Sequence, residues 1–198
     1  MKSYNLALSG LGGQGVMTVS HVLAAAAARE KIQVLLFEGT GISQRGGSVF
    51  SFVRFGKASS PKIPIGRADA IISLEISEIA SIIKYLKPQG QVWANSGTVH
   101  GYYTKLCPEL YPAEKKIKEM IRLKTKDLHM IPADRLAQDA GSAQTVNMTM
   151  LGAFSSNGSL LHTESITWAI EESNKKYAKE NLNAFWKGHE YAQKERMT

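Results

Sequence analysis

Cysteine is nearly missing from this 198-residue chain, where Cys107 stands alone. A lone cysteine excludes an internal disulfide and cannot supply the several thiolates that an iron–sulfur cluster takes. Any redox metal chemistry linked to the chain therefore belongs to a partner. Long apolar runs are absent too: nothing approaches the roughly eighteen apolar residues of a membrane-spanning helix. The opening Met1-Lys2-Ser3-Tyr4 leads into a strand pattern rather than a signal peptide, so a cytoplasmic protein without membrane contact is expected. The histidines (His21, His100, His129, His162, His189) are scattered, with no pair at metal-ligand spacing. No Lys-Ser or Lys-Thr follows the glycine-rich loop at 10–15, which excludes a Walker-type triphosphate site, and there is no Gly-x-Ser-x-Gly elbow.

What is present fits a folded domain. The hydrophobic share of 43% is ordinary for a globular chain. No repeat, low-complexity tract or linker divides it, so one domain over 1–198 is expected. The net charge of +7 is spread along the chain. Its densest run, Lys115-Lys116-Ile117-Lys118-Glu119, shares a helical pattern with Met120 and Ile121 and reads as a solvated helix face. Nucleic-acid binding is not expected; a docking face for an acidic protein or a phosphorylated cofactor fits the charge better.

Strand and helix patterns alternate, which indicates an α/β fold: a three-layer α/β/α, Rossmann-like, mostly parallel sheet with C-terminal helices. Strands are expected at 4–9, 33–38, 48–55, 68–74, 90–94 and 128–132, and helices at 15–30, 76–87, 113–126, 134–140, 144–155, 163–178 and 180–194. The strand at 48–55 is apolar on both faces and is expected to run antiparallel at a sheet edge. The Gly- and Pro-rich segment 56–67 is a loop and a candidate partner-contact arm. The stretch from Asn95 to Pro112 reads as irregular; its Tyr102, Tyr103 and Tyr111 form either an exposed aromatic binding patch or, the commoner case, packing under a long loop.

Gly10, Gly12 and Gly15 match the spacing G-x-G-x-x-G between a strand and a helix. Glycine permits the tight turn and close ligand approach, and the following helix start offers unpaired N–H groups to an anion. Gly13 and Gln14 complete the loop, Gln14 adding an amide that can donate or accept. A turn needed only for strand–helix packing explains the same glycines. Glu38 ends the second strand, where nicotinamide-dependent dehydrogenases place a ribose-binding acid. A stand-alone nicotinamide- or flavin-binding oxidoreductase is thus an alternative, although no catalytic acid or base can be located for it.

A second special loop follows: Gly41-Ile42-Ser43-Gln44-Arg45-Gly46-Gly47-Ser48. The Arg45 guanidinium suits carboxylate or phosphate, and Gly46-Gly47 allows a sharp turn into the next strand. Gln44, Arg45, Gly46 and Gly47 are read as an anion or subunit contact beside the first loop; an arginine bracing carbonyls or pairing with Glu38 is the simpler reading.

These motifs, with Val53-Arg54-Phe55-Gly56, Ser60-Pro61-Lys62-Ile63-Pro64, Ala68-Asp69, Asn147-Met148, Leu151-Gly152-Ala153, Asn181 and Ala184-Phe185, occur in order over nearly the whole chain. The sequence resembles the gamma-type subunit or domain of 2-oxoacid:ferredoxin oxidoreductases, and within them the small beta subunit of the indolepyruvate type. It departs from that pattern at Thr40, where a histidine is expected. The resemblance implies the fold of domain III of pyruvate:ferredoxin oxidoreductase. It also implies a subunit of a complex that converts a 2-oxoacid to acyl-CoA and carbon dioxide and passes electrons to ferredoxin. Thiamine diphosphate and four-iron four-sulfur clusters would sit in partner subunits. This chain would hold no tightly bound cofactor and no catalytic residue, and would be inactive alone. It would help hold coenzyme A through Gly10, Gly12, Gly13, Gln14 and Gly15, with Gln44, Arg45, Gly46 and Gly47 beside them and Asn147 supporting. Deprived of its partner, the chain is expected to self-associate, as a homodimer for instance, through bared apolar surface.

Overall fold

The computed structural model describes residues 3–40, 46–158 and 160–197. Strands β1 (Tyr4–Leu11), β2 (Val34–Thr40), β3 (Ser48–Phe55), β4 (Ala68–Ser73), β5 (Leu86–Asn95) and β6 (Leu128–Ile131) form one sheet in the order β2-β3-β1-β4-β5-β6. β1, β4, β5 and β6 pair in parallel, while β3 is antiparallel to both of its neighbours, β1 and β2. β3 is therefore the antiparallel strand expected from the sequence, but it does not lie at the edge; β2 does. Phe52 and Val53 point to opposite faces and both are buried, which requires cover above and below; the interior place in the sheet comes from pairing with both β1 and β2.

The alternation along the strands feeds two cores. Leu6, Leu8, Ile72 and Trp93 pack under one helical layer made of α1 (Val16–Arg29), α5 (Ala133–Asp139), α6 (Val146–Ser155), α7 (Thr163–Ser173) and α8 (Ala178–Glu195). Ala7, Ile71, Phe52 and Val92 face a thinner layer of α2 (Ile79–Ile82) and α4 (Glu114–Arg122). The layers make the α/β/α sandwich that the alternating pattern predicts. Every residue of α6 from Asn147 to Ser155 is buried, and the helix is apolar or small all round because it lies between the sheet and α8. Two glycines set that approach: a Cβ on Gly152 would come 1.9 Å from the Phe185 carbonyl oxygen, and one on Gly188 would come 1.9 Å from that of Thr149.

Several boundaries differ from expectation. The helix expected at 76–87 is a 3-10 turn (Ile76–Glu78), the four-residue α2 and a second 3-10 turn (Ile83–Tyr85), and β5 already begins at Leu86. Pro88 forces Lys87 towards extended backbone, which ends helical geometry early. The stretch read as irregular contains α3 (Tyr102–Leu106) and a 3-10 turn over Pro108–Leu110. The helix expected to run to 178 stops at Ser173, because Asn174 is extended. The 56–67 arm lies down on the sheet: the Arg54 guanidinium donates to the Ser60 and Lys62 carbonyls at 2.8 and 3.0 Å, and Ile63 is buried. Ile65, 71% exposed, projects from it.

Candidate functional site

The carboxyl end of β1 runs into the glycine loop, and β4 beside it is the neighbour on the other side of the chain's change of direction. Crevices at this position bind ligands in open α/β sheets. Gly13 and Gly15 adopt positive φ, +99° and +84°, so the turn needs glycine at both. Gln14 closes the loop internally. Its Oε1 accepts from the Leu11 N–H at 2.7 Å and its Nε2 donates to the Leu74 carbonyl at 3.4 Å. The amide thus braces the turn against β4. Gly10 is in close contact too: a Cβ there would meet Gln14 Oε1 at 2.8 Å and Leu74 Cβ at 3.1 Å.

Asn147, at the start of α6, is buried against Gly15. A Cβ on Gly15 would come 2.3 Å from Asn147 Nδ2, while Asn147 Oδ1 accepts from the Met148 N–H at 2.9 Å. The first intrahelical bond of α1 runs from Val19 N–H to the Gly15 carbonyl. The N–H groups of Gly13, Gly15, Val16, Met17 and Thr18 have no acceptor among the described residues. Together with the positive end of the α1 dipole, they form a cradle for an anion. Two cavities of about 510 and 520 Å³ flank the loop and share Gly13, Gly15 and Thr18. One is walled mainly by apolar groups such as Leu11, Met17 and Val49; the other includes Asp134, Gln144 and Asn147.

Among the described residues, the second loop meets the first through backbone hydrogen bonds. Gly12 N–H donates to the Gly47 carbonyl at 2.8 Å, and Gly46 N–H donates to the Gly12 carbonyl at 3.3 Å, extending the β1–β3 ladder past the strand ends. Gly10, Gly12, Gly13, Gln14, Gly15, Gly46, Gly47 and Asn147 are thus gathered in one place. Gln44 and Arg45 lie outside the described residues. The backbone of Thr40 pairs with Val49 at the end of β2.

Glu38 serves another end than the ribose contact considered from sequence. Its Oε1 accepts from Ser20 Oγ at 3.0 Å and faces His21 Nε2 at 3.0 Å, both on α1. β3 also intervenes between β1 and β2, which puts Glu38 two inter-strand spacings, about 9.6 Å, from the glycine-loop strand. A dinucleotide-binding half requires the acid on the strand next to the loop.

Sequence reasoning missed a group of acids behind the loop. Glu75, just past β4, is fully buried; Oε1 accepts from Ser77 N–H and Oγ and from the Tyr111 hydroxyl, and Oε2 from Val99 N–H at 2.6 Å. Burial and the hydrogen bond to Glu75 push the Tyr111 hydroxyl up to about 12. Glu78 accepts from Ser48 Oγ at 2.5 Å. Burial holds its carboxyl above the usual range, with Glu75 adding to the rise and the Ser48 bond opposing it. The signal was available: Leu74-Glu75 follows an apolar parallel strand, so an acid there must sit at the sheet's carboxyl edge. Among the described residues, no group of three His, Cys, Asp or Glu side chains is arranged to hold a metal ion, and no helix is long and apolar enough to cross a membrane.

Fold and cleft define an open α/β protein with a glycine loop at the carboxyl end of its first strand. Residues 5–191 match the family described as pyruvate ferredoxin/flavodoxin oxidoreductase, and the chain belongs to that family. Its relatives include the indolepyruvate oxidoreductase subunit IorB of Thermococcus kodakarensis, 36% identical over 78% of each chain. The subunit of that name from Archaeoglobus fulgidus is 33% identical over 95% of this chain and 94% of its own. The pyruvate/ketoisovalerate oxidoreductases common subunit gamma of Pyrococcus abyssi is 28% identical over 83% of each. Among solved structures, the gamma subunit of a keto/oxoacid ferredoxin oxidoreductase from Geobacter sulfurreducens superposes with a TM-score of 0.71 at 22% identity, over 96% of this chain and 99% of that one. A 2-oxoglutarate:ferredoxin oxidoreductase from Magnetococcus marinus, with 2-oxoglutarate, coenzyme A and succinyl-CoA bound, gives 0.72 at 20% identity over 98% of this chain and 32% of the longer one. At such identities the solved structures speak for the fold. The relatives are subunits of 2-oxoacid oxidoreductases, and they support the subunit reading over a stand-alone nicotinamide or flavin enzyme.

Proposed function

We propose that this chain is the small subunit of a cytoplasmic 2-oxoacid:ferredoxin oxidoreductase of the indolepyruvate type. In this reading the complex oxidatively decarboxylates a 2-oxoacid, delivers the acyl group to coenzyme A and passes the electrons to ferredoxin. The observation that carries it is the likeness to indolepyruvate oxidoreductase subunits along almost the whole length of both chains. Thiamine diphosphate and iron–sulfur clusters, which supply decarboxylation and electron transfer, belong to partner subunits; a chain with one cysteine does not fit a cluster.

The part assigned to this subunit is to complete the assembly and to help hold coenzyme A. The unpaired N–H groups of Gly13, Gly15 and the first turn of α1 suit phosphate oxygens. The flanking cavities offer room on both sides of that cradle. Gly10, Gly12 and Gln14 shape the loop, Asn147 backs Gly15, and Gly46-Gly47 anchors the second loop, from which Gln44 and Arg45 would contact the anion or the partner subunit. Self-association of the isolated chain, as a homodimer for instance, belongs to the same reading.

The test is coenzyme-A-dependent reduction of a viologen dye by the partner thiamine subunit, with and without this chain, on indolepyruvate, pyruvate, 2-oxoisovalerate and 2-oxoglutarate. Activity that requires the chain, and is highest on indolepyruvate, is the expected result. No association and no activity on any of the four would overturn the reading.

A further inference from the structure

Glu75 has no part in the glycine motif, yet it reaches the cleft through two of its bonds. Its side chain is 0% exposed, a strongly unfavourable place for a carboxyl group unless every lone pair finds a donor. Four donors converge on it. Two are local, from Ser77, and would satisfy the short 3-10 turn it caps. The other two come from far along the chain: Val99 N–H on Oε2 at 2.6 Å and the Tyr111 hydroxyl on Oε1. Both lie in one segment, 97–111, and Val99 lines the polar cavity beside Gly13 and Gly15. Capping alone would leave that segment free. One turn on, Glu78 holds Ser48 Oγ, next to Gly47, whose carbonyl receives the Gly12 N–H. The two acids therefore draw in the segments that border the glycine loop from two sides.

We propose that Glu75 is a positioning residue of this cleft: by holding Val99 and Tyr111, its buried carboxyl group sets the wall of residues 97–111 opposite the glycine loop, and with it the fit of a phosphate-bearing nucleotide ligand of the coenzyme A kind. The inference rests on the coenzyme A role given to the cleft above. Glu75 is buried and lines neither cavity, so its role is in ligand fit and not in the chemical step.

The test uses the reconstituted complex. Glu75→Gln keeps the shape but replaces one acceptor oxygen with an amide that cannot accept. Because Val99 and Tyr111 use different oxygens, one anchor of the wall is released. The expected result is a KM for coenzyme A raised about tenfold, the loss of roughly one strong hydrogen bond's worth of fit. KM for the 2-oxoacid stays unchanged and kcat stays within about twofold. Tyr111→Phe, on a half-buried ring, removes only the hydroxyl donor and is expected to move the same KM in the same direction by less. It decides the matter if Glu75→Gln does not fold. Gly13→Ala, which puts a methyl group into the cleft itself, separates the two readings. If it raises KM for coenzyme A while the Glu75 and Tyr111 variants do not, the positioning role is wrong and the cleft stands. If Gly13→Ala leaves that KM unchanged, the coenzyme A reading of the cleft falls and the inference falls with it. A drop in kcat with unchanged KM in the Glu75 variant would also overturn it.

Discussion

Gly13 and Gly15 share a positive φ but not an environment. A Cβ on Gly13 meets nothing within 4 Å, whereas one on Gly15 runs into Asn147 Nδ2 at 2.3 Å. Gly13→Ala should therefore cost only the backbone strain, about 1–2 kcal/mol, and Gly15→Ala about 2–4 kcal/mol. Urea unfolding of the two isolated variants checks this, and equal losses would refute the assigned contact. The two residues were legible as a loop; their unequal roles were not, because Asn147 lies 132 positions from Gly15. Glu78 carries a pH consequence. Its folded pKa is raised above the ordinary 4.5, so the native state holds this proton more tightly than the unfolded chain does. The stability it lends is present in full below the unfolded value and is lost as pH rises through the folded one. Glu78→Gln keeps an oxygen for the Ser48 hydroxyl and removes the titration. Between pH 4 and 7 the thermal midpoint of the wild type should fall relative to that of the variant; parallel curves would show that Glu78 is not the group responsible.

At the scale of elements, the crossing of α6 and α8 is the tightest contact in the molecule's larger helical layer. Backbone meets backbone at Gly152 and Gly188, where the nearest atoms are main-chain atoms of Phe185, Thr149 and Ala153. Gly152→Ala should destabilise the chain by about 3 kcal/mol or more, read as a lowered thermal midpoint. A loss of under about 1 kcal/mol would mean that the helices can separate freely. The period of the apolar residues made α1 and most strands readable from sequence. It failed at 76–87, where Ile76, Ile79, Ile82, Ile83 and Leu86 keep a helix-like spacing while the chain passes through 3-10 turns into β5. All five are buried, and the pattern registers burial more faithfully than backbone hydrogen bonding. Strand order was out of reach for a related reason. β3 is apolar on both faces whether it lies inside or at a margin of the sheet, and only pairing with both β1 and β2 distinguishes the two.

Over the whole molecule, the two ends of the sheet differ in character. The carboxyl end holds the glycine loop and the buried acids, while the opposite end, around Arg122 to Asp127 and Gln89, frames a cavity of about 530 Å³ beside Lys124 and Lys126. Trp186 and Tyr177 are substantially exposed on the α7–α8 side, and the ring of Trp168 is partly covered by the Arg29 guanidinium at 4.7 Å. Exposed aromatics of this kind suit contact with another subunit. The lack of cluster ligands was legible at this scale, since one cysteine cannot supply the thiolates that a cluster takes. Sequence could place Glu75 at the sheet's carboxyl edge but not name its partners, because Glu75, Val99 and Tyr111 meet only once β4 and β5 are side by side.

The joint between the two loops has a consequence for how such a chain can diversify. Gly12, Gly46 and Gly47 are linked through peptide groups alone. Mutation can change what side chains protrude from either loop without unfastening one from the other, unless proline removes the N–H at 12 or 46. The hinge-like seam is thus inherited as backbone, and the residues displayed around it are free to drift towards new ligands while the frame that presents them stays put.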